Sequence, residues 1–351
     1  MSGQIGLFEQ PAPARRPKSV GDVLPSRESP LLQAPVLPPE IRLGTSSWFF
    51  PGWRGLVYEG LYPQTALSKK GLAAYAQIPM LRTVSLDRTF YAPLTMVEYV
   101  RYATQVPEHF SFVVKAPALV CDAVMRDEEG RGKVPNPHFL DPAIAAREFV
   151  VPCIEGLGAK AGPLVFQISP LPRSLAEEAP LLIERLALFF AALPTALGRH
   201  RPLYALELRN SDLLTPRLMR TLREVGVRYC VGLHDRMPEV ERQETALKAL
   251  DGDEPGDLVV RWNLHRGFLY KAAQQRYDPF DKLVDEDPVT RRILARMAAT
   301  AFKAGRKVWI TANNKAEGSA PLTLLKLAEE IADALGTAGT DGTPGTIGTS
   351  T

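Results

Sequence analysis

The chain has 351 residues, 45% hydrophobic and 23% charged, which are ordinary values for a globular protein long enough to bury a sizeable core. With 42 Lys and Arg against 39 Asp and Glu, the net charge of +3 is too balanced to predict nucleic-acid binding by itself. No apolar run of membrane-spanning length and no secretory leader is visible, so no membrane association is expected and the expected compartment is the cytoplasm. The three cysteines, Cys121, Cys153 and Cys230, are far apart and form no CxxC. This excludes a zinc knuckle or disulfide framework and fits reduced, buried thiols.

In chain order, residues 1–40 carry Pro11, Pro13, Pro17, Pro25, Pro30, Pro35, Pro38 and Pro39, which interrupt any helix or ladder. Their apolar residues have no period, so a disordered arm is expected. One continuous folded region, 41–336, follows. It holds eight short apolar segments that each end in polar residues: IRLGTSS from Ile41, TVSLDRTF from Thr83, FSFVVKAPA from Phe110, PLVFQISP from Pro163, LYALELRN from Leu203, RYCVGLHD from Arg228, DLVVRWNL from Asp257 and KVWITANN from Lys307. Helix-like stretches separate them. SKKGLAAYAQI starts at Ser68, and TMVEYVRYATQV offers Thr95 as N-cap. A polar excursion, CDAVMRDEEGRGKVPNPHF, precedes a helix from about Asp141. TPRLMRTLREVG has Thr215 as cap and Pro216 in its first turn. Leu324, Ala328, Ile331 and Leu335 share one face of the last helix. Residues 337–351 form a Gly/Thr-rich, low-complexity tail, expected to be flexible.

Eight alternations of strand and helix predict a parallel sheet with right-handed crossovers, and at this length a closed (β/α)8 TIM barrel. The alternative is an open doubly wound sheet, but no GxGxxG or GxxxxGK[ST] follows any strand. Barrels of this kind place their chemistry at the carboxyl ends of the strands. Side chains alternate faces along a strand. On the inward face Asp87, Lys115, Gln167, Glu207, Arg209, Arg261 and Asn313 would therefore converge at the upper mouth.

Glu207, Lys115 and Asp87 are the candidate catalytic residues. Glu207 is either a general base or the partner of Arg209 and Arg261. Lys115 either polarises a carbonyl or forms a Schiff base. Gln167, Arg209, Arg261, Asn313 and His265 are candidate ligand-binding residues, since forked arginine donors suit carboxylate or phosphate. Trp48 and Trp53, in the aromatic loop SSWFFPGWRGLVYEGLYP, either wall the pocket or plug one end of the barrel. Glu207, His234 and His265 have metal-ligating chemistry, but no spacing such as HExxH accompanies them, and neither a metal nor another cofactor is expected.

The motifs GTSSW with a second Trp at position 53, TFYAPL, VVKAP, GPLVFQISP, the ELR of the fifth strand and the ANN of the eighth resemble the DUF72 (YecE-like) family over roughly residues 41–321. The resemblance implies a TIM barrel and site residues Lys115, Gln167, Glu207, Arg209, Arg261 and Asn313; it implies no established reaction. The chain departs from the family pattern in three places. A VEIN-like second strand is here Val84-Ser85-Leu86-Asp87, RHxSW becomes Arg209-Asn210-Ser211-Asp212-Leu213, and RxHG is stretched to Arg261–Gly267.

The expected function is the binding of a small polar or anionic ligand, sugar-like or phosphorylated, with acid/base catalysis as an option. A barrel that has lost its chemistry is the bland alternative. A second alternative rests on QIGLF: Gln4, Leu7 and Phe8 resemble the QxxLF pentapeptide by which bacterial proteins dock on the DNA sliding clamp.

Overall fold

The structure is a computed structural model and describes residues 22–126 and 132–336. Eight parallel strands form a closed barrel: β1 (Ile41–Thr45), β2 (Leu81–Leu86), β3 (Ser111–Lys115), β4 (Ala161–Ile168), β5 (Leu203–Leu208), β6 (Arg228–Leu233), β7 (Leu258–Trp262) and β8 (Val308–Ala312). Each pairs with its neighbours in sequence, and β1 pairs with β8 to close the ring. All eight predicted segments are barrel strands, and the fold is the (β/α)8 barrel.

The strands read as apolar runs because both faces are covered. Outward residues such as Phe166, Leu206 and Leu208 join the main core beneath the helices. Phe166 packs edge-on against Phe149, Phe189 and Phe190 at centroid distances of 5.6, 5.3 and 5.4 Å. Inward, Val113, Val165, Ala205, Cys230, Val259 and Trp309 fill the lower barrel. The Trp309 indole N–H donates to Ser111 Oγ at 3.0 Å, so this polar tip is satisfied inside the plug. The floor is thus solid, and only the upper end remains for a ligand.

The crossover helices are α1 (Gln64–Tyr75), α2 (Met96–Ala103), α3 (Val151–Leu157), α4 (Ala179–Ala191), α5 (Pro216–Glu224), α6 (Val240–Asp251), α7 (Pro288–Lys303) and α8 (Ala320–Leu335). Thr95 caps α2 through a reciprocal box with Glu98, and Thr215 caps α5. Asp141 opens a short helix, Pro142–Ala145, that reaches α3 through a π turn, Ala146–Val150. Within the polar excursion after β3, Val124–Arg126 pairs antiparallel with Gly132–Pro135. A helix at Tyr270–Tyr277, absent from the sequence expectation, lies between β7 and α7. Among the described residues no helix is long and apolar enough to cross a membrane.

The expectation of a disordered arm over 1–40 is corrected for residues 22–40. Val23, Leu31 and Leu37 are buried in the main core. Ser26 N–H donates to Val57 O at 2.9 Å, and Arg82 Nη1 donates to the carbonyls of Leu37 and Pro38 at 2.9 and 3.1 Å. The prolines prevent helix and ladder, but an extended chain can still lay apolar side chains on a surface, and its carbonyls remain free to accept. Gln4, Leu7 and Phe8, with the rest of 1–21 and the tail 337–351, lie outside the described residues.

Candidate functional site

Arg261 stands at the centre of the upper barrel. Its Nη1 donates to Glu207 Oε2 at 2.6 Å and to Gln167 Oε1 at 3.2 Å, and its Nη2 reaches both Asp87 oxygens at 2.9 and 2.8 Å. Arg209 Nη2 lies 2.7 Å from Glu207 Oε1 and donates to Gln167 Oε1 at 2.9 Å. Four strands, β2, β4, β5 and β7, or the residue just beyond each, supply this constellation. Alternation brings it together: Gln167, Glu207 and Arg261 sit two positions above the barrel-filling Val165, Ala205 and Val259, while Arg209 follows two after Glu207 and Asp87 two after Ser85. Ser85 Oγ donates to Asp87 Oδ1 at 2.6 Å. The Ser85 hydroxyl therefore helps to hold the Asp87 carboxylate. Gly232 on β6 gives Glu207 its space, since a Cβ there would sit 3.1 Å from Glu207 Oε1.

Burial raises the Glu207 carboxyl, but Arg209 and Arg261 outweigh it and hold the group below the usual carboxylate range. Burial alone would weaken the Arg261 cation, yet Asp87 and Glu207 raise it further above its ordinary value. The two carboxylates and two guanidiniums balance. Lys115 is the surplus cation. Its Nζ lies 3.5 Å from the Phe90 ring centroid and, among the described residues, contacts no acceptor. Burial lowers its pKa to about 8; Arg261 and Arg209 act in the same direction, against Asp87 and Glu207.

A cavity of about 420 Å³ opens above this network. Of the predicted residues, Asp87, Lys115, Gln167, Arg209, Arg261 and Asn313 line it. Arg209 Nε and Nη1 are buried and have no hydrogen-bond partner among the described residues. Asn313 is oriented by Ser46, to which its amide donates at 2.8 Å, and by the Lys315 N–H, which it accepts at 3.0 Å.

The other predicted residues are placed elsewhere. Glu207 is fully buried, pairs with both Arg209 and Arg261 and does not line the cavity, a geometry that favours its reading as their partner over that as a general base. Trp53 is fully buried, its indole donating to Asn314 Oδ1 at 3.1 Å, so it is a plug rather than a stacking platform. Trp48 donates to Leu67 O at 3.1 Å and borders a separate pocket of about 70 Å³. His265 lines a neighbouring pocket of about 240 Å³ and not the central one. Glu207, His234 and His265 do not assemble: among the described residues no group of three or more His, Cys, Asp or Glu could hold a metal.

The cavity also includes residues outside the predicted set: Tyr91, Pro170, His234, Asp235, Arg236, Asn263 and Tyr270. Asn263 was accessible to the same alternation that marked Arg261, and Asp235-Arg236 directly follow a strand end. Tyr270 comes from the helix that the sequence did not reveal, where it stacks on His234 at 6.1 Å and receives Lys315 Nζ at 4.2 Å from its ring. The His234 ring pairs with Asp235 and is lowered to about 4, by burial and then by Arg209, so it is neutral at pH 7.

Known proteins agree with this architecture. The family model described as "Protein of unknown function DUF72" matches residues 42–345. A DUF72 family protein of Thermotoga maritima MSB8 superimposes with a TM-score of 0.54 at 18% identity, covering 82% of this chain and 98% of that one. A DUF72 family protein of Enterococcus faecalis V583 gives 0.50 at 17% identity, covering 88% and 100%. At these identities the likeness concerns the fold alone. No curated protein matches the sequence. The match over most of the chain places it: this protein belongs to the DUF72 family.

Proposed function

We propose that the cavity at the strand ends binds a small anionic ligand, sugar-like or phosphorylated. The observation that carries this proposal is unspent positive donor capacity on one cavity: among the described residues Arg209 Nε and Nη1 lack hydrogen-bond partners, and the Lys115 ammonium on the same cavity has no acceptor. Buried donors without partners are costly, and anion oxygens would satisfy them. Asp87, Asn263 and Asn313 offer acceptors and amides for hydroxyl groups, while Tyr91 and Tyr270 offer ring faces. If the ligand is also turned over, Lys115 and Asp87 are the titratable groups best placed to touch it; Glu207 only positions the arginines. The three unpaired, buried thiols fit the expected cytoplasmic setting.

Sulfate is a suitable probe because it does not titrate near neutrality. Calorimetry at pH 7 should detect sulfate binding, weakened about tenfold in Lys115→Met through loss of one charge-assisted contact. Affinity of the native protein should fall as pH rises through about 8, where the ammonium loses its proton, and the variant should lack that step. Equal, pH-independent binding by both forms would remove Lys115 from the site.

The pentapeptide at Gln4–Phe8 motivates a second proposal from sequence alone: docking on the DNA sliding clamp through Gln4, Leu7 and Phe8. The native chain should retain purified clamp and Phe8→Ala should not; equal retention ends this proposal.

A further inference from the structure

We propose that Lys115 is a covalent site, its Nζ condensing with the carbonyl of a small phosphorylated aldehyde or ketone to form an imine within the arginine-lined cavity. This rests on the anion-site proposal above, which would hold the phosphate.

Three structural observations single out this lysine. It ends β3 on the inward face and lines the cavity. Among the described residues it has no carboxylate or carbonyl partner, and its Nζ lies against the Phe90 ring. It also shares that cavity with Asp87, a carboxylate partly open to solvent, at 35%. The other buried lysines are occupied. Lys160 donates to the carbonyls of Ala103 and Val106 at 2.9 and 2.8 Å and pairs with Glu108, and Lys315 Nζ donates to Asn313 Oδ1 at 3.5 Å as well as lying over Tyr270. The charged groups acting on Lys115 are Asp87 from the end of β2, Glu207 and Arg209 from β5, and Arg261 from β7. With burial they leave its pKa at about 8, so at pH 7 it carries about two orders of magnitude more neutral amine than an exposed lysine.

The chemistry closes without another reactant. The neutral amine attacks the carbonyl carbon; a C–N bond forms and the oxygen takes a proton, giving a carbinolamine. The C–O bond then breaks, water leaves with a second proton, and loss of the N–H proton leaves C=N. Asp87 is the group on the cavity wall suited to carry protons between nitrogen and oxygen. Amine and carbonyl become imine and water.

The full-length protein is incubated with dihydroxyacetone phosphate and sodium cyanoborohydride, which delivers hydride to an imine carbon and fixes it as a secondary amine. Peptide mapping should place the adduct on Lys115 ahead of every other lysine, with a trapping rate that rises through pH about 8 and is suppressed by sulfate. No adduct at Lys115, or equal labelling of exposed lysines, overturns the imine. If sulfate still binds in that case, the anion site survives. An adduct at Lys115 that sulfate does not suppress keeps the imine and removes the anion site. Mapping is done on the native chain, so no variant needs to fold.

Discussion

Arg261 makes four hydrogen bonds to three side chains in a position that is only 2% exposed. A buried guanidinium is tolerated because Glu207 and Asp87 neutralise it and Gln167 accepts from it. Removing it takes both guanidinium hydrogen bonds from Asp87 and leaves fully buried Glu207 with Arg209 alone. Arg261→Met should therefore cost about 3–5 kcal/mol in urea unfolding. A loss within error of zero would mean that the carboxylates relax into solvent. Glu207 gives a second check through pH. Its folded-state pKa is depressed, so its contribution is fully present above the unfolded value and is lost as pH falls through the folded one. The stability of the native protein should therefore drop below about pH 4 with a component missing from Glu207→Gln. In the same variant any ligand turnover should fall through disturbed binding rather than through loss of a base.

At the scale of elements, β1 and β2 approach each other closely at Gly44. A Cβ on Gly44 of β1 would lie 1.8 Å from the carbonyl oxygen of Thr83 on β2, and the pairing shifts register between Leu43 and Gly44. The glycine is a matter of close approach, since the clash is with backbone that cannot rotate away. Gly44→Ala should destabilise the fold by at least about 1–3 kcal/mol, the usual cost of overpacking, read as a lowered midpoint in chemical denaturation. Gly232 is a milder case because its neighbour is the Glu207 side chain. Helix caps divide along similar lines. Thr95 and Thr215 act locally, whereas Asp287 caps α7 while its own backbone N–H donates to buried Glu317 at 2.6 Å. That link ties α7 to the β8–α8 loop, which Arg291 also grips through Glu317 at 2.7 Å.

For the whole molecule, the barrel is more than its eight repeats. Residues 22–40 run across the surface and bury Val23, Leu31 and Leu37 in the main core. Ser29 and Ser26 hydroxyls donate to the backbone of Leu56 and Gly55, binding this segment to the aromatic loop after β1. A chain beginning at residue 41 should therefore melt below one beginning at residue 22, by several degrees in a thermal scan, because it loses buried apolar area from three side chains. Coincident melting curves would show that the segment only lies on the barrel. The aromatic loop, in turn, reaches the end of β8 through Trp53 and Asn314, so the first and last strands share one seam.

Much of this was legible in the sequence. Strand identity, inward facing and the group Asp87, Lys115, Gln167, Arg209, Arg261 and Asn313 follow from two-residue alternation, which depends on local geometry alone. Three things depended on tertiary contacts. The role of Glu207 turned on depth: alternation marks a face but not whether a carboxylate lies in the cavity or beneath two arginines. Trp48, Trp53 and His265 turned on loop paths, which carry no period. The packing of 22–40 turned on surfaces supplied by distant segments, against which its scattered apolar residues find partners despite the prolines. The sequence by itself determined the barrel and the face that carries the charges, because both are repeated local patterns. Only the tertiary structure decided which charges neutralise one another and which cation remains unpaired, because that depends on distances across the barrel between strands far apart in the chain.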